Sequence, residues 1–110
     1  MAEVKSAKVI LVTCGKLAEA RRIARSAVEE KLAACVNIVS APVESVYRWQ
    51  GKIESAKEFL LIIKTSRRNL ARLERRIVEL HSYDLPEFLV LTAGGSAQYL
   101  RWLLSDACGH

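Results

Sequence analysis

Three cysteines, two histidines and twelve carboxylates carry the metal-binding and proton-moving chemistry open to this chain of 110 residues. The candidates are Cys14, Cys35, Glu58, His81, Asp84, Glu87, Cys108 and His110. A copper or zinc site needs at least three soft or borderline donors that converge. Only Cys108-Gly109-His110 has local ligand spacing, and it reads as a chain end. Cys35 lies in an apolar stretch and reads as a buried, inert thiol. His81 closes a helical segment, where the helix dipole favours an imidazolium, so a capping role and a ligand role both stand. If folding brings Glu58 and Glu87 within reach, His81 becomes a ligand or proton-transfer group. The candidate metal set is therefore His81, Glu58 and Glu87.

Other chemistries lack their signatures. There is no Gly-x-Ser-x-Gly, no phosphate-binding glycine loop and no His-Glu-x-x-His. Gly94-Gly95-Ser96 is explained by a turn and a helix cap. Lys64, His81, Tyr83 and Glu87 are the residues an interface pocket would need for catalysis, but the expectation is a protein without enzymatic activity. The net charge of +5 hints at anionic partners. Yet Arg67, Arg68, Arg72, Arg75 and Arg76 are interleaved with Glu74 and Glu79, which reads as a solvated face, and no nucleic-acid partner is expected. The odd cysteine count without Cys-x-x-Cys points to a reducing, cytoplasmic setting. The longest apolar run, Phe59 to Ile63, is too short to span a bilayer, so no membrane association is expected.

The elements that must position these residues follow from periodicity. Val9 to Val12 is apolar on both parities and reads as a doubly covered strand. From Leu17, the residues Ala20, Ile23, Ala24, Ala27, Val28 and Lys31-Leu32 take helical spacing, with Glu19, Arg21, Arg22, Arg25, Glu29 and Glu30 on the wet face. Ala33 to Val39 is strand-like. A hairpin follows, from Val43 through Trp49, a turn at Gln50-Gly51-Lys52, and a return from Ile53 to Thr65. Ser45, Tyr47 and Trp49 share one face of its first arm. Ser66 or Thr65 caps a second helix with Leu70, Leu73, Ile77 and Leu80 inside. A loop over 81–87 leads to a strand over 88–92, and Ser96 caps a last helix. The order is βαββαβ with an extra C-terminal helix, a ferredoxin-like α+β sandwich in one domain over 1–110. Each main helix has one apolar face, so both lie on one side of the sheet. The other side needs a helix or a neighbouring subunit. The hairpin exceeds what one small sheet can pair, which implies a closed homo-oligomer.

The segments 31–38 (Lys-Leu-Ala-Ala-Cys-Val-Asn-Ile), 47–53 (Tyr-Arg-Trp-Gln-Gly-Lys-Ile), 63–65 after Glu58, 81–87 (His-Ser-Tyr-Asp-Leu-Pro-Glu) and 99–103 together resemble the divalent-cation tolerance family CutA. The resemblance implies a ferredoxin-like trimer similar to the PII signalling proteins, tolerance of divalent metals, and copper binding. It also admits a PII-like module that binds a small anionic metabolite in the clefts between subunits. Two departures stand out. Ser82 replaces the family's usual proline. The position of a cysteine proposed as a metal ligand in some members falls on Val12, with Cys14 two residues later on the same strand parity.

Overall fold

The computed structural model describes residues 6–105 and 107. Five strands and three α-helices alternate as β1 (Ala7–Cys14), α1 (Leu17–Glu29), β2 (Cys35–Ile38), β3 (Val43–Trp49), β4 (Lys52–Thr65), α2 (Leu70–Leu80), β5 (Leu89–Ala93) and α3 (Ala97–Leu104). A 3-10 turn over Arg67–Asn69 leads into α2. The sheet runs β2-β4-β1-β5, with β3 paired to β4 outside that path, and every pairing is antiparallel. This is the expected ferredoxin-like plan.

β4 does two jobs along its 14 residues. Its C-terminal half pairs with β1 from Phe59 to Thr65, opposite Cys14 to Lys8. Its N-terminal half pairs only with β3, from Lys52↔Trp49 to Glu58↔Val43. The hairpin therefore projects from the sheet, and the chain measures 50 × 28 × 25 Å. Gln50 and Gly51 both have positive φ, 51° and 80°, as a two-residue hairpin turn with the right twist requires.

Ile10, Val12 and Cys14 of β1 and Leu61 and Ile63 of β4 pack against Ala20, Ile23 and Ala27 of α1 and Leu73 and Ile77 of α2. Both main helices thus cover one face. On the other face Leu100 and Leu103 of α3 pack with Ala7, which covers one end only. Leu89, Leu91, Val46 and Ile53 stay exposed, the last at 71%.

Three local expectations change. The first helix stops at Glu29, short of the apolar pattern, because Lys31 turns left-handed (φ 59°) and Leu32 and Ala33 both donate back to Ala27 O. Ser66 does not cap α2: its buried Oγ has no hydrogen-bond partner among the described residues, and Thr65 Oγ1 donates to Leu32 O. Glu19 is not on the wet face of α1 but is 7% exposed. Ser96 does cap α3, accepting from the Tyr99 N–H. The Cys108-Gly109-His110 segment lies outside the described residues.

Candidate functional site

Three element ends meet at one buried point. β1 ends at Cys14, α1 presents Glu19 in its first turn, and His81 is the residue that closes α2. A thiol, a carboxylate and an imidazole, each with one ligand atom, lie within 4.8 Å of one another there, and all three residues are buried. Among the described residues this is the single group of three such donors.

Hydrogen bonds fix two of the members, His81 and Glu19. His81 Nε2 lies 2.8 Å from Thr13 O, and the Tyr83 N–H donates to Nδ1 at 3.1 Å. A carbonyl accepts and an amide donates, so the ring proton sits on Nε2 and Nδ1 carries the lone pair. Glu19 Oε2 stands 3.7 Å from Nδ1, beyond hydrogen-bond distance. Glu19 is instead held by Ser82, whose N–H donates to Oε1 at 3.0 Å and whose hydroxyl donates to Oε2 at 3.2 Å. A proline at position 82 has neither donor, so the departure in the sequence acquires a job: it orients Glu19. Burial pushes the Cys14 thiol up to about 12, and the charges of Glu19 and Glu58 add to that. A thiol raised this far is neutral at pH 7.

The other two expected ligands belong to a neighbouring feature. His81, Glu58 and Glu87 do not form a group of donor atoms within 4.8 Å. Glu58 and Glu87 line a cleft of about 620 Å³ together with Tyr47, Trp49, Tyr83 and Asp84. The hairpin register puts Glu58 on the face of Ser45 and Tyr47, since Val43 pairs with Glu58 and Tyr47 with Glu54. The aromatic pair legible in the sequence is thus one wall of the cleft. Tyr83 is the other, and its hydroxyl donates to Glu58 Oε2 at 2.9 Å. Its ring also meets that of His81, with centroids 4.6 Å apart and the planes tilted by 50°. Tyr83 approaches the chain closely at Gly15, where a Cβ would stand 3.1 Å from its hydroxyl oxygen. Burial, then the bond to Glu58, holds the Tyr83 phenol well above its usual range. Burial, then the charge of Glu58, raises the Glu87 carboxyl. None of the lining residues is basic. Lys64, named with His81, Tyr83 and Glu87 for an interface pocket, does not line this cleft; its Nζ sits over the Tyr99 ring, 5.8 Å from the centroid.

Sequence reasoning named His81 but missed Glu19 as its neighbour. The signal was present: Glu19 falls one turn before Ile23, on the apolar stripe of α1 and not opposite it.

Residues 8–106 match the family profile described as CutA1 divalent ion tolerance protein. The chain is 44% identical over 97 residues to the divalent-cation tolerance protein CutA of Thermus thermophilus, covering 87% of this chain and 93% of that one. It is 48% identical over 96 residues to the chloroplastic protein CutA of Arabidopsis thaliana, covering 86% of this chain but 52% of the relative. The chain thus spans about half the length of that plant protein. The solved Thermus thermophilus structure superposes with a TM-score of 0.87 at 42% identity, covering 91% of this chain and 97% of that one. CutA1 from Shewanella sp. SIB1 gives 0.89 at 34% identity, covering 98% and 100%. The chain belongs to the CutA1 divalent ion tolerance family. No helix among the described residues is long and apolar enough to cross a membrane.

Proposed function

We propose that the protein serves divalent-cation tolerance by holding the ion itself, copper foremost, as a non-enzymatic homotrimer in a reducing compartment. The observation that carries this is the convergence of Cys14, Glu19 and His81. The donor set fits a borderline transition ion, and Cu²⁺ heads the affinity order for divalent metals on such ligands. The surroundings fit as well. Ligating histidines donate their second ring N–H to a carbonyl or carboxylate, as His81 does to Thr13 O, and ligating carboxylates are themselves hydrogen-bonded, as Glu19 is by Ser82. A bound ion would supply a fixed positive charge that holds the thiol as thiolate. His81 Nδ1 becomes free for an ion only when the Tyr83 N–H is displaced, so loading moves the 82–85 loop.

Trimerisation is supported by the uncovered apolar strip at Leu89 and Leu91 and by the projecting hairpin with Val46 and Ile53 exposed. Sedimentation equilibrium at micromolar concentration tests it: a mass of three chains is expected, and a monomer rejects it. Titration calorimetry of the reduced protein with Cu²⁺ tests the metal reading. One ion per chain is expected, lost in His81→Ala and weakened at least tenfold in Cys14→Ser. Unchanged binding in both variants overturns it.

A further inference from the structure

We propose that the cleft walled by Tyr47, Trp49 and Tyr83 binds an organic ammonium ion. Three aromatic rings and the carboxylates of Glu58, Asp84 and Glu87 line one space. Aromatic faces attract an alkylated cation through the ring quadrupole, and do so most strongly where water is partly excluded. Glu58 is 8% exposed, and its one hydrogen bond uses Oε2, leaving Oε1 without a donor among the described residues. No ion pair among the described residues reaches Glu58, Asp84 or Glu87. Three acids therefore face one space without a counter-charge among the described residues, and burial, then the charge of Glu58, raises the Glu87 carboxyl, which marks their mutual repulsion. A cation relieves it.

The chemistry of the lining selects which cation. A metal ion gains little from three aromatic walls, and no third donor of the His, Cys, Asp or Glu kind converges with Glu58 and Glu87 within 4.8 Å. An anion meets no basic residue. An ammonium uses both halves of the site: the rings take its alkyl groups, and the carboxylates take its charge or its N–H bonds. This site shares Tyr83 with the His81 cluster, but Cys14, Glu19 and His81 do not line it, so its groups can be changed separately from theirs.

The chain has two tryptophans, so Trp102→Phe leaves Trp49 as the single indole reporter, in the wall of the cleft. That protein is titrated at constant ionic strength with tetramethylammonium chloride, with 1,4-diaminobutane, with sodium chloride and with neutral tert-butanol. Its fluorescence is expected to change saturably with an ammonium and not with the two controls. A response to tetramethylammonium alone marks the rings as the main recognition element, and a response to the diamine alone marks the carboxylates. Glu58→Gln and Glu87→Gln are each expected to weaken binding at least tenfold with an unchanged melting temperature. The glutamine at 58 still accepts from Tyr83, so the wall stays in place. Silence toward both ammonium probes overturns the proposal, including the silence of a cleft filled by a neighbouring copy. So does an equal response to tert-butanol, or binding that survives both glutamine variants.

Discussion

Two buried carboxylates, Glu19 and Glu58, both act on the Cys14 thiol and are held in opposite ways. Both are more than nine-tenths buried. Glu19 has both oxygens engaged by Ser82 and lies in the first turn of a helix, where the dipole favours its charge. Glu58 has one hydrogen-bond partner among the described residues, the Tyr83 hydroxyl, and faces an open space with two further acids. The His81 side is a closed network, with ring, thiol and carboxylate in fixed places. The Glu58 side is a cleft with charge left over. The loop from His81 to Glu87 builds both, because Tyr83 stacks on one and bonds to the other. A short motif can therefore serve a fixed donor set and an open ligand site at once. Mutations in the two groups are expected to separate them.

The largest effect is expected from His81→Ala. It leaves Thr13 O and the Tyr83 N–H unpaired in a buried place, which costs about 2–4 kcal/mol of stability. The shift in urea midpoint measures it. Ser82→Pro removes both donors to Glu19 at about 1–3 kcal/mol. His81 already has the extended backbone that precedes a proline, with φ −82° and ψ 141°, so that cost belongs to the lost bonds. Copper affinity should fall with it. If it does not, Glu19 is not part of the metal set. Tyr83→Phe acts on the cleft side alone, costs about 1 kcal/mol, and should leave the copper stoichiometry unchanged.

The smallest effect is a slope with pH. The Cys14 thiol is raised in the folded protein from 9.0 to about 12. Above pH 9 the unfolded chain releases this proton while the native state keeps it. The native state then binds more protons, and stability must fall as pH rises from 9 towards 12. Tyr83 is raised too and adds a loss of the same sign from pH 10 upward. Melting temperatures across this window should fall less steeply in Cys14→Ser and in Tyr83→Phe. An unchanged slope in both would mean that neither group is protected as described.

The frame of the molecule was legible because it is written in periodicity. The apolar alternation of β1 and β4, the stripes of α1 and α2, the Gln50-Gly51 turn and the Ser96 cap each depend on neighbours in sequence. The site was legible only in part. His81, and the face shared by Tyr47 and Trp49, follow from local position. That His81 groups with Cys14 and Glu19, and not with Glu58 and Glu87, depends on a contact across 62 positions of sequence between Glu19 and His81 and on the bond from His81 Nε2 to Thr13 O. No local pattern carries that. The Ser66 cap failed for a related reason. Thr65 was drawn into a bond with Leu32 and the chain entered α2 through a 3-10 turn, so tertiary packing overrode the local preference.

The central claim is that Cys14, Glu19 and His81 hold the ion. X-ray absorption on the reduced protein loaded with Zn²⁺, which brings no redox chemistry, tests it most directly. One sulfur at about 2.3 Å with nitrogen and oxygen at about 2.0–2.2 Å is the predicted first shell, with the sulfur lost in Cys14→Ser. A shell of oxygen and nitrogen alone, identical in wild type and Cys14→Ser, would contradict the account and return the metal to a site outside this cluster.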